Sequence, residues 1–294
     1  MILFWENGTQ IPSDLVVSYC LRSDLAPVPL ALELDIRVFS EIESLTRQGR
    51  AITLMSGEEM QIVKREKISL GTVRNDRMEQ GVRLTALLKA CLPIAFTRRQ
   101  AIIKEDATLA GIYRAAGASV RAVAADFPVP RFTCLAGETP SYQIRQVLQE
   151  EAGVVRWKNG KLEFFRYRDL FRQTPKSFIS LTGSFDTQSG LLERHTIPAH
   201  FSIRDDGLVV FGNRDKDRSV AFSPVKTIQT LNNMGESLIN RAPVTVGFDI
   251  RLAAGDLFST SMGEPMVAIT VVHTYNATEG QQSETSRLFL GTLA

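Results

Sequence analysis

Histidines and acidic clusters are the first places to look for chemistry in this 294-residue chain. His195 and His200 are five residues apart, and His273 lies in a strand-like run without a histidine or carboxylate at metal-ligand spacing. A His-x4-His pair in a presumed loop or strand is not a helical zinc spacing, so no metal site is predicted. Residues 215–217 start like a calcium loop, but the downstream glycine and bidentate glutamate are missing.

Glu138, Glu150 and Glu151 are the carboxylates that would serve a hydrolase. Glu150 and Glu151 are adjacent on a predicted helix, so their side chains point in different directions and do not face one substrate bond. The chain has no nucleophile elbow, no P-loop and no dinucleotide-binding glycine pattern. We therefore predict a protein that is not an enzyme and holds no cofactor. A peptidoglycan hydrolase built into a larger particle remains the alternative.

Basic residues follow one another in a predicted hairpin and at its exit. They are Arg156, Lys158, Lys161, Arg166, Arg168 and Arg172. A solvated strand face explains such a pattern, and a surface that contacts phosphate or a partner is the second interpretation. Four aromatic residues interleave with these charges and would offer stacking surfaces in a nucleic-acid-contacting module. They are Trp157, Phe164, Phe165 and Tyr167.

The composition is that of a globular protein, with 44% hydrophobic residues, 22% charged residues and a formal net charge of +2. No apolar run approaches the roughly 20 residues that a membrane span requires. The N-terminus lacks the basic region and cleavage site of a signal peptide, so we expect no secretion by that route. Cys20, Cys91 and Cys134 are odd in number and far apart, which argues against a disulfide framework.

The first hundred residues read mainly as strands. In residues 30–38 the apolar side chains recur at every second position, which predicts a half-buried strand. Further strand candidates are residues 14–20, 60–64, 67–73 and 82–92. Many short strands separated by turn residues predict a barrel or sandwich.

Helical and strand signals alternate between residues 101 and 175. Asp106 is a candidate cap for a short helix that Gly117 ends. Thr139 and Pro140 open a second helix with an apolar stripe, and Gly153 is expected to close it. The pair Asn159-Gly160 then predicts a tight hairpin, because both residues adopt positive φ readily.

Strand patterns return after residue 176. We predict a short strand at 207–212 and a helix over 227–241 with Ile228, Leu231 and Leu238 inward. Strands at 267–275 and 286–293 follow, with a polar turn at 276–281. The predicted fold is therefore α+β and β-rich, with β-strand units at 1–100 and 176–294 and a small mixed α/β unit at 101–175.

Three short segments of residues 132–165 carry a resemblance. They are Gly137-Glu138-Thr139, the helix end Glu150-Glu151-Ala152-Gly153, and Gly160-Lys161-Leu162. This strand, turn, helix and hairpin order resembles the baseplate hub proteins of phage tails. They form the late control protein D family, which also covers the base of type VI secretion spikes. Residues 255–258, 267–273 and 288–291 are similar to the second barrel of that family.

The resemblance implies two tube-type antiparallel β-barrel units in each chain and a homotrimeric ring of pseudo-sixfold symmetry. It implies a hexameric tail tube or distal tail protein above the ring and a trimeric spike or central fibre protein below it. The lumen would pass the genome, so non-specific contact with DNA is expected. The implied location is the baseplate or tip of a virion tail, with synthesis in the host cytoplasm.

Overall fold

The computed structural model describes residues 1–38, 42–74, 77–120, 126–181, 197–213, 219–278 and 281–293. Strands dominate these residues, so the predicted β-rich α+β class is confirmed. The strands are β1 (Leu3–Trp5), β2 (Val16–Asp24), β3 (Leu30–Arg37), β4 (Ala51–Leu54), β5 (Glu59–Arg74), β6 (Arg77–Leu88), β7 (Ile102–Thr108), β8 (Pro128–Cys134), β9 (Gly153–Lys158), β10 (Lys161–Arg166), β11 (Phe178–Ile179), β12 (Ala199–Ile203), β13 (Val209–Phe211), β14 (Val220–Phe222), β15 (Leu238–Gly247), β16 (Leu257–Thr260), β17 (Met266–Thr278) and β18 (Gln281–Leu293).

Helices are few and short in the described part of the chain. The α-helices are α1 (Leu109–Ala115), α2 (Pro140–Glu150), α3 (Tyr167–Leu170) and α4 (Ile228–Met234), and two 3₁₀ helices span Glu43–Thr46 and Lys89–Ile94. No helix among them combines the length and apolar character needed to cross a membrane.

One large sheet joins strands from both ends of the chain. Its order runs β1-β4-β5-β6-β3-β2-β17-β18-β15, with β16 beside β17 and β11 beside β16. The central junction is the antiparallel pair of β2 and β17, in which Thr270 faces Asp24 and Asn276 faces Ser18. The strands that the sequence places in two separate units thus share one ladder. The domain division itself stays a prediction.

The strand candidates of the first unit correspond to β2, β3, β5 and β6, whereas β1 and β4 were not predicted and β2 runs from Val16 to Asp24. Two further differences concern β5 and β6. The candidates at 60–64 and 67–73 are parts of a single long strand, β5, which has register shifts between Ile62 and Lys64 and between Ser69 and Val73. The candidate at 82–92 ends at Leu88, where a 3₁₀ helix containing Pro93 begins. Proline lacks the amide that a ladder requires, which explains the early end.

The cap that the sequence assigned to α1 is wrong. Thr108 is the N-cap, and its side chain accepts a hydrogen bond from the Gly111 amide at 3.1 Å. Asp106 instead lies inside β7 with φ of 48°. Gly117 follows the helix with φ of 91°, as its expected role as a stop requires.

Helix α2 and the following hairpin match the prediction except at one position. Pro140 opens the helix, and Asn159 and Gly160 take φ of 52° and 71° between β9 and β10. The residue with positive φ after α2 is Ala152, at 49°, and not Gly153. Gly153 already belongs to β9, where an added Cβ would lie 3.0 Å from the Phe127 ring.

The predicted helix over 227–241 is wrong in its second half. Thr227 caps α4, which ends at Met234, and β15 starts at Leu238. Leu231 is buried, whereas Ile228 is exposed. The predicted turn at 276–281 is also too long, because the β17–β18 ladder continues to the pair Thr278 and Gln281.

The main core lies under the first half of the large sheet and extends into the α/β unit. Leu32, Leu34 and Ile36 of β3 are fully buried there, as their alternation predicts. Tyr113 of α1 and Phe164 of β10 join the same cluster, with ring centroids 5.5 Å apart. A second cluster lies around β17 and β18. The sheet is therefore apolar on one side, and its other side carries polar residues.

Candidate functional site

The side of the large sheet that faces away from the core is polar across seven strands. Residues that pair across neighbouring strands point to the same side of a sheet, so the strand register defines rows. One row crosses from β5 to β15 through Lys64, Thr85, Glu33, Cys20, Thr274, Thr285 and Gly247. The next row contains Glu66, Arg83, Asp35, Ser18, Asn276 and Ser283.

We call this surface the polar sheet face. It comprises the two rows above together with five residues that lie beside them on the same side of the sheet. The five are Arg22, Asp24, Arg37, Thr270 and Arg287. The surface spans the β2–β17 junction, so both halves of the chain contribute to it.

Three cations of the polar sheet face are paired with carboxylates. Arg83 binds Asp35 in a bidentate manner, with both nitrogen–oxygen distances at 2.8 Å. Arg22 Nε lies 2.6 Å from Asp24 Oδ2. Lys64 Nζ lies 2.8 Å from Glu66 Oε1. The hydrogen bonds that Arg83 donates to Asp35 raise the pKa of the Arg83 guanidinium above its usual value.

Hydroxyl groups support the two aspartates of these pairs. Ser18 Oγ donates to Asp35 Oδ2 at 3.1 Å, and Thr270 Oγ1 donates to Asp24 Oδ1 at 2.6 Å. Each carboxylate thus has a basic and a hydroxyl partner, which fixes its position on the sheet. Because Thr270 belongs to β17 and Asp24 to β2, one of these bonds crosses the junction.

The opposite side of the same junction is aromatic and buried. Tyr19 of β2 and Tyr275 of β17 stack with ring centroids 5.4 Å apart and planes at 15°. The Tyr19 hydroxyl donates to Glu284 Oε1 at 2.8 Å. Burial, with smaller effects from Glu284, raises the pKa of Tyr19 well above its usual value. The junction is therefore held by packing on one side and by polar bonds on the other.

The six sequence-predicted basic residues lie outside the polar sheet face, and two of them point inward. Arg156 is buried, and its Nε donates to Glu163 at 2.5 Å. Its Nη1 donates to Gln173 Oε1 at 2.8 Å and to the Gly255 carbonyl oxygen at 3.2 Å. The guanidinium also lies over the Phe165 ring, 4.5 Å from the centroid. Arg156 therefore connects the hairpin to the loop before β16.

Lys158 makes a related connection through a buried carboxylate. Its Nζ lies 2.8 Å from Asp256 Oδ1, and Lys176 Nζ lies 2.7 Å from Asp256 Oδ2. Burial alone would raise the pKa of Asp256. Hydrogen bonds from both lysines and from the Ala253 amide outweigh burial, so the pKa ends below its ordinary value. These contacts join three chain segments.

The other four predicted basic residues are exposed, and three of them have acidic partners. Arg166 pairs with Glu151 at 2.7 Å, Arg172 with Asp169 at 3.1 Å, and Arg168 with Glu236. Lys161 is exposed at the hairpin turn. The six residues thus do not form one basic surface: Arg156 and Lys158 make interior contacts, and the other four are exposed. The proposed contact with phosphate or a partner remains a prediction for the exposed ones.

The three candidate acids have separate partners. Glu138 Oε2 accepts a hydrogen bond from the Leu135 amide at 2.6 Å. Glu150 Oε1 pairs with Lys226 at 2.5 Å, and Glu151 pairs with Arg166. None of the three lines either of the two described pockets, one beside Tyr19 and Tyr275 and one beside Trp157 and Leu252.

Of the four aromatic candidates, Phe164 is buried in the core and contacts Tyr113 and Phe127. Phe165 lies under Arg156. Trp157 and Tyr167 are half-buried, and Trp157 Nε1 lies 3.4 Å from Glu58 Oε1. They do not form a common stacking platform.

His195 and residues 215–217 lie outside the described residues. His200 Nδ1 bonds Ser223 Oγ at 2.9 Å. His273 bonds Ser286 Oγ at 2.8 Å and the Leu252 carbonyl at 3.0 Å. The described part of the chain contains no group of three potential metal ligands. The three cysteines are free thiols.

Neither family models nor curated proteins match this sequence. Solved structures do match it. A tail protein from Neisseria meningitidis MC58 aligns with a TM-score of 0.66 and 11% identity over 99% of this chain and 95% of that chain. The 43 kDa tail protein of prophage MuSo2 from Shewanella oneidensis aligns with a TM-score of 0.63 and 12% identity, over 98% and 96%.

A third match is an E. coli component of the type VI secretion system, described as structurally similar to the T4 bacteriophage tail proteins gp27 and gp5. It aligns with a TM-score of 0.56 and 10% identity over 98% of this chain and 76% of that chain. The fold is thus shared with solved phage tail and type VI secretion proteins. The resemblance stated from the sequence is confirmed at the level of the fold.

Proposed function

We propose that this protein is a structural hub of a phage tail tip or baseplate, or of a related injection machine. In this proposal three copies form a ring that joins a hexameric tail tube or distal tail protein above to a trimeric spike or central fibre below. The observation that carries it is the single sheet that runs through both halves of the chain and ends in open strand edges. The shared fold with solved tail proteins supports the same role.

The two ends of the sheet lie on different strands. At one end, residues 64–68 of β5 pair with β6, and no second strand lies beside them among the described residues. At the other end, residues 243–247 of β15 have β18 as their one described strand neighbour. Pro243 suits such an edge, because proline cannot donate to a ladder. Exposed edges of this kind are available for pairing with another chain.

Pairing the β15 edge of one copy with the β5 edge of the next would be a heterologous interface. Such an interface forms a closed ring when the rotation between copies closes. Within each chain, β2 and β17 already form a junction between the two strand groups. Three chains would then contribute three internal and three intermolecular junctions, which explains a pseudo-sixfold ring that fits sixfold and threefold partners.

The polar sheet face would line the lumen of this ring, because it is the side of the sheet without a core against it. The transported genome would pass along it. The protein would be made in the host cytoplasm and act in the virion tail. Its role would be that of an assembly component without catalysis, since the candidate acids have separate structural partners.

The mass of the particle in solution tests the ring. We expect three times the 32.6 kDa of one chain, measured by mass photometry or light scattering. Thr245→Pro and Val246→Pro form a matched pair, because adjacent residues of a strand direct their amides to opposite edges. One variant should lose the pairing with β18 and its stability, and the other should fold but remain monomeric. A wild-type protein that stays monomeric with its tube partner present contradicts the proposal.

The hydrolase alternative is tested by zymography on peptidoglycan. We expect no clearing from the wild-type protein. Clearing that disappears in Glu138→Gln would show an enzyme, and the structural proposal would then be incomplete.

A further inference from the structure

We infer that the polar sheet face is a nearly charge-balanced wall, which lets a double-stranded nucleic acid slide past without being held. This inference rests on the proposed ring and concerns the affinity of the lumen wall for the nucleic acid that passes through it. The face contains five cations and four carboxylates. The cations are Lys64, Arg83, Arg22, Arg287 and Arg37, whose guanidinium donates to the Asp14 carbonyl, and the carboxylates are Glu66, Asp35, Asp24 and Glu33. The charges of these residues would therefore nearly cancel along the lumen, leaving one net positive charge per copy.

The pairing matters as much as the count. Proteins hold DNA without sequence preference mainly by neutralising phosphates with lysine and arginine, which releases counterions. On this face Arg83, Arg22 and Lys64 are each bonded to a carboxylate at 2.8 Å or less. A phosphate would have to compete with that carboxylate. It would also meet repulsion from the carboxylate itself, so each contact would gain little free energy.

The exposed fractions of the paired side chains show that the aspartates are held closer to the sheet than the arginines. The aspartates are the less accessible partners, with Asp35 13% exposed against 47% for Arg83, and Asp24 22% exposed against 58% for Arg22. Ser18 and Thr270 hold these aspartates from neighbouring strands. The arginines therefore lie over fixed anions.

Arg287 is held differently from the paired cations. Its guanidinium lies 5.2 Å from the centroid of the Phe289 ring, and both residues belong to β18. Stacking restricts the side chain but leaves its charge in place. Glu33, three strands away on β3, supplies the compensating charge of the face.

The test removes the anions and leaves the cations. Asp24→Asn/Asp35→Asn keeps the size of both side chains, replaces one acceptor oxygen of each with an amide NH2 group, and raises the net charge by two per copy. The matched control is Glu151→Gln/Asp169→Asn, which frees Arg166 and Arg172 in pairs away from the face. Binding of a short linear DNA duplex is measured by fluorescence anisotropy across a salt series, on samples whose mass shows the ring.

We expect the wild-type ring and the control to bind weakly with a shallow salt dependence. The Asp24→Asn/Asp35→Asn ring should bind at least tenfold more tightly at about 150 mM salt, with a steeper slope. Arg22→Gln/Arg83→Gln should bind no more tightly than wild type. If that arginine variant instead abolishes a tight, salt-dependent binding by the wild-type ring, the inference is overturned while the ring proposal stands. A protein that forms no ring has no lumen wall, so both proposals fail.

Discussion

Tyr19 stacks on Tyr275 at a centroid distance of 5.4 Å, which brings together two residues from opposite ends of the chain. The two rings lie on the core side of the β2–β17 junction, under the polar sheet face. The pair therefore couples the stability of the first strand group to that of the last. If the ring forms as proposed, this contact fixes the angle between the two strand groups of each copy.

Replacing Tyr275 with alanine should weaken this junction. We expect Tyr275→Ala to lower the free energy of unfolding by about 2 kcal/mol, since it removes a half-buried ring and the stacking contact of that ring with Tyr19. Urea denaturation followed by circular dichroism measures the change. Tyr142→Ala is the control, because Tyr142 is 64% exposed on α2, and it should change stability by less than about 0.5 kcal/mol. Equal effects of the two variants would contradict the role of the stack.

The buried carboxylate of Asp256 should be important for the connection between the hairpin and the C-terminal strands. Asp256→Asn would leave Lys158 and Lys176 without their shared acidic partner, and we expect a loss of about 2 kcal/mol. Asp169→Asn removes an exposed pair and should cost no more than about 0.5 kcal/mol. Because the folded pKa of Asp256 is lowered, its stabilisation is present above the ordinary carboxylate pKa and is lost as the pH falls through the folded pKa.

Two buried histidines should make the protein less stable in mild acid. Burial lowers the pKa of both His200 and His273 below their ordinary value of 6.5. The unfolded chain therefore binds more protons than the folded chain just below pH 6.5, and stability falls as the pH falls. Melting temperatures measured across that range should show the decline, and His200→Gln/His273→Gln should reduce its slope. An unchanged slope in the double variant would assign the decline to other groups.

Cys20 should be the first thiol to react in the folded protein. It lies on the polar sheet face between Glu33 and Thr274, whereas Cys91 and Cys134 are fully buried. Burial, reinforced by Glu33, raises the pKa of Cys20, so its reaction at neutral pH should be slow. Mass spectrometry after maleimide treatment identifies the modified residue. If the face lines a lumen, a bulky polymer-linked maleimide should react more slowly with the ring than with a monomeric edge variant.

Local features of this fold could be predicted well from the sequence. The alternation in β3, the Asn159-Gly160 turn and the proline at the start of α2 depend on near neighbours, and each was correct. The errors at Asp106 and Ala152 arose where two residues, one or two positions apart, were candidates for one role. Thr108 sits closer to the first turn of α1 than Asp106, and Gly153 is needed as a small residue beside Phe127.

The candidate site was not predictable in the same way. The spacing of the basic residues along β9 and β10 did not indicate which of them would be engaged inside the protein, because Arg156 and Lys158 bond to partners from a distant segment of the chain. The polar sheet face gave no linear motif, because its members come from seven strands and become neighbours only through the register. The signal available was the polar half of the alternation in β3, where Glu33 and Asp35 occur.

The β2–β17 pairing also determines when the large sheet can be completed during synthesis. Strand β2 is synthesised early and can pair with β3, but its second partner, β17, begins at Met266. One edge of β2 therefore stays unpaired until nearly all of the sequence has left the ribosome. Contacts of such long sequence separation slow folding, and the unpaired strand edges can meanwhile associate with neighbouring chains. We therefore expect the open edge of β2 to be the part of the nascent chain that most needs protection from aggregation.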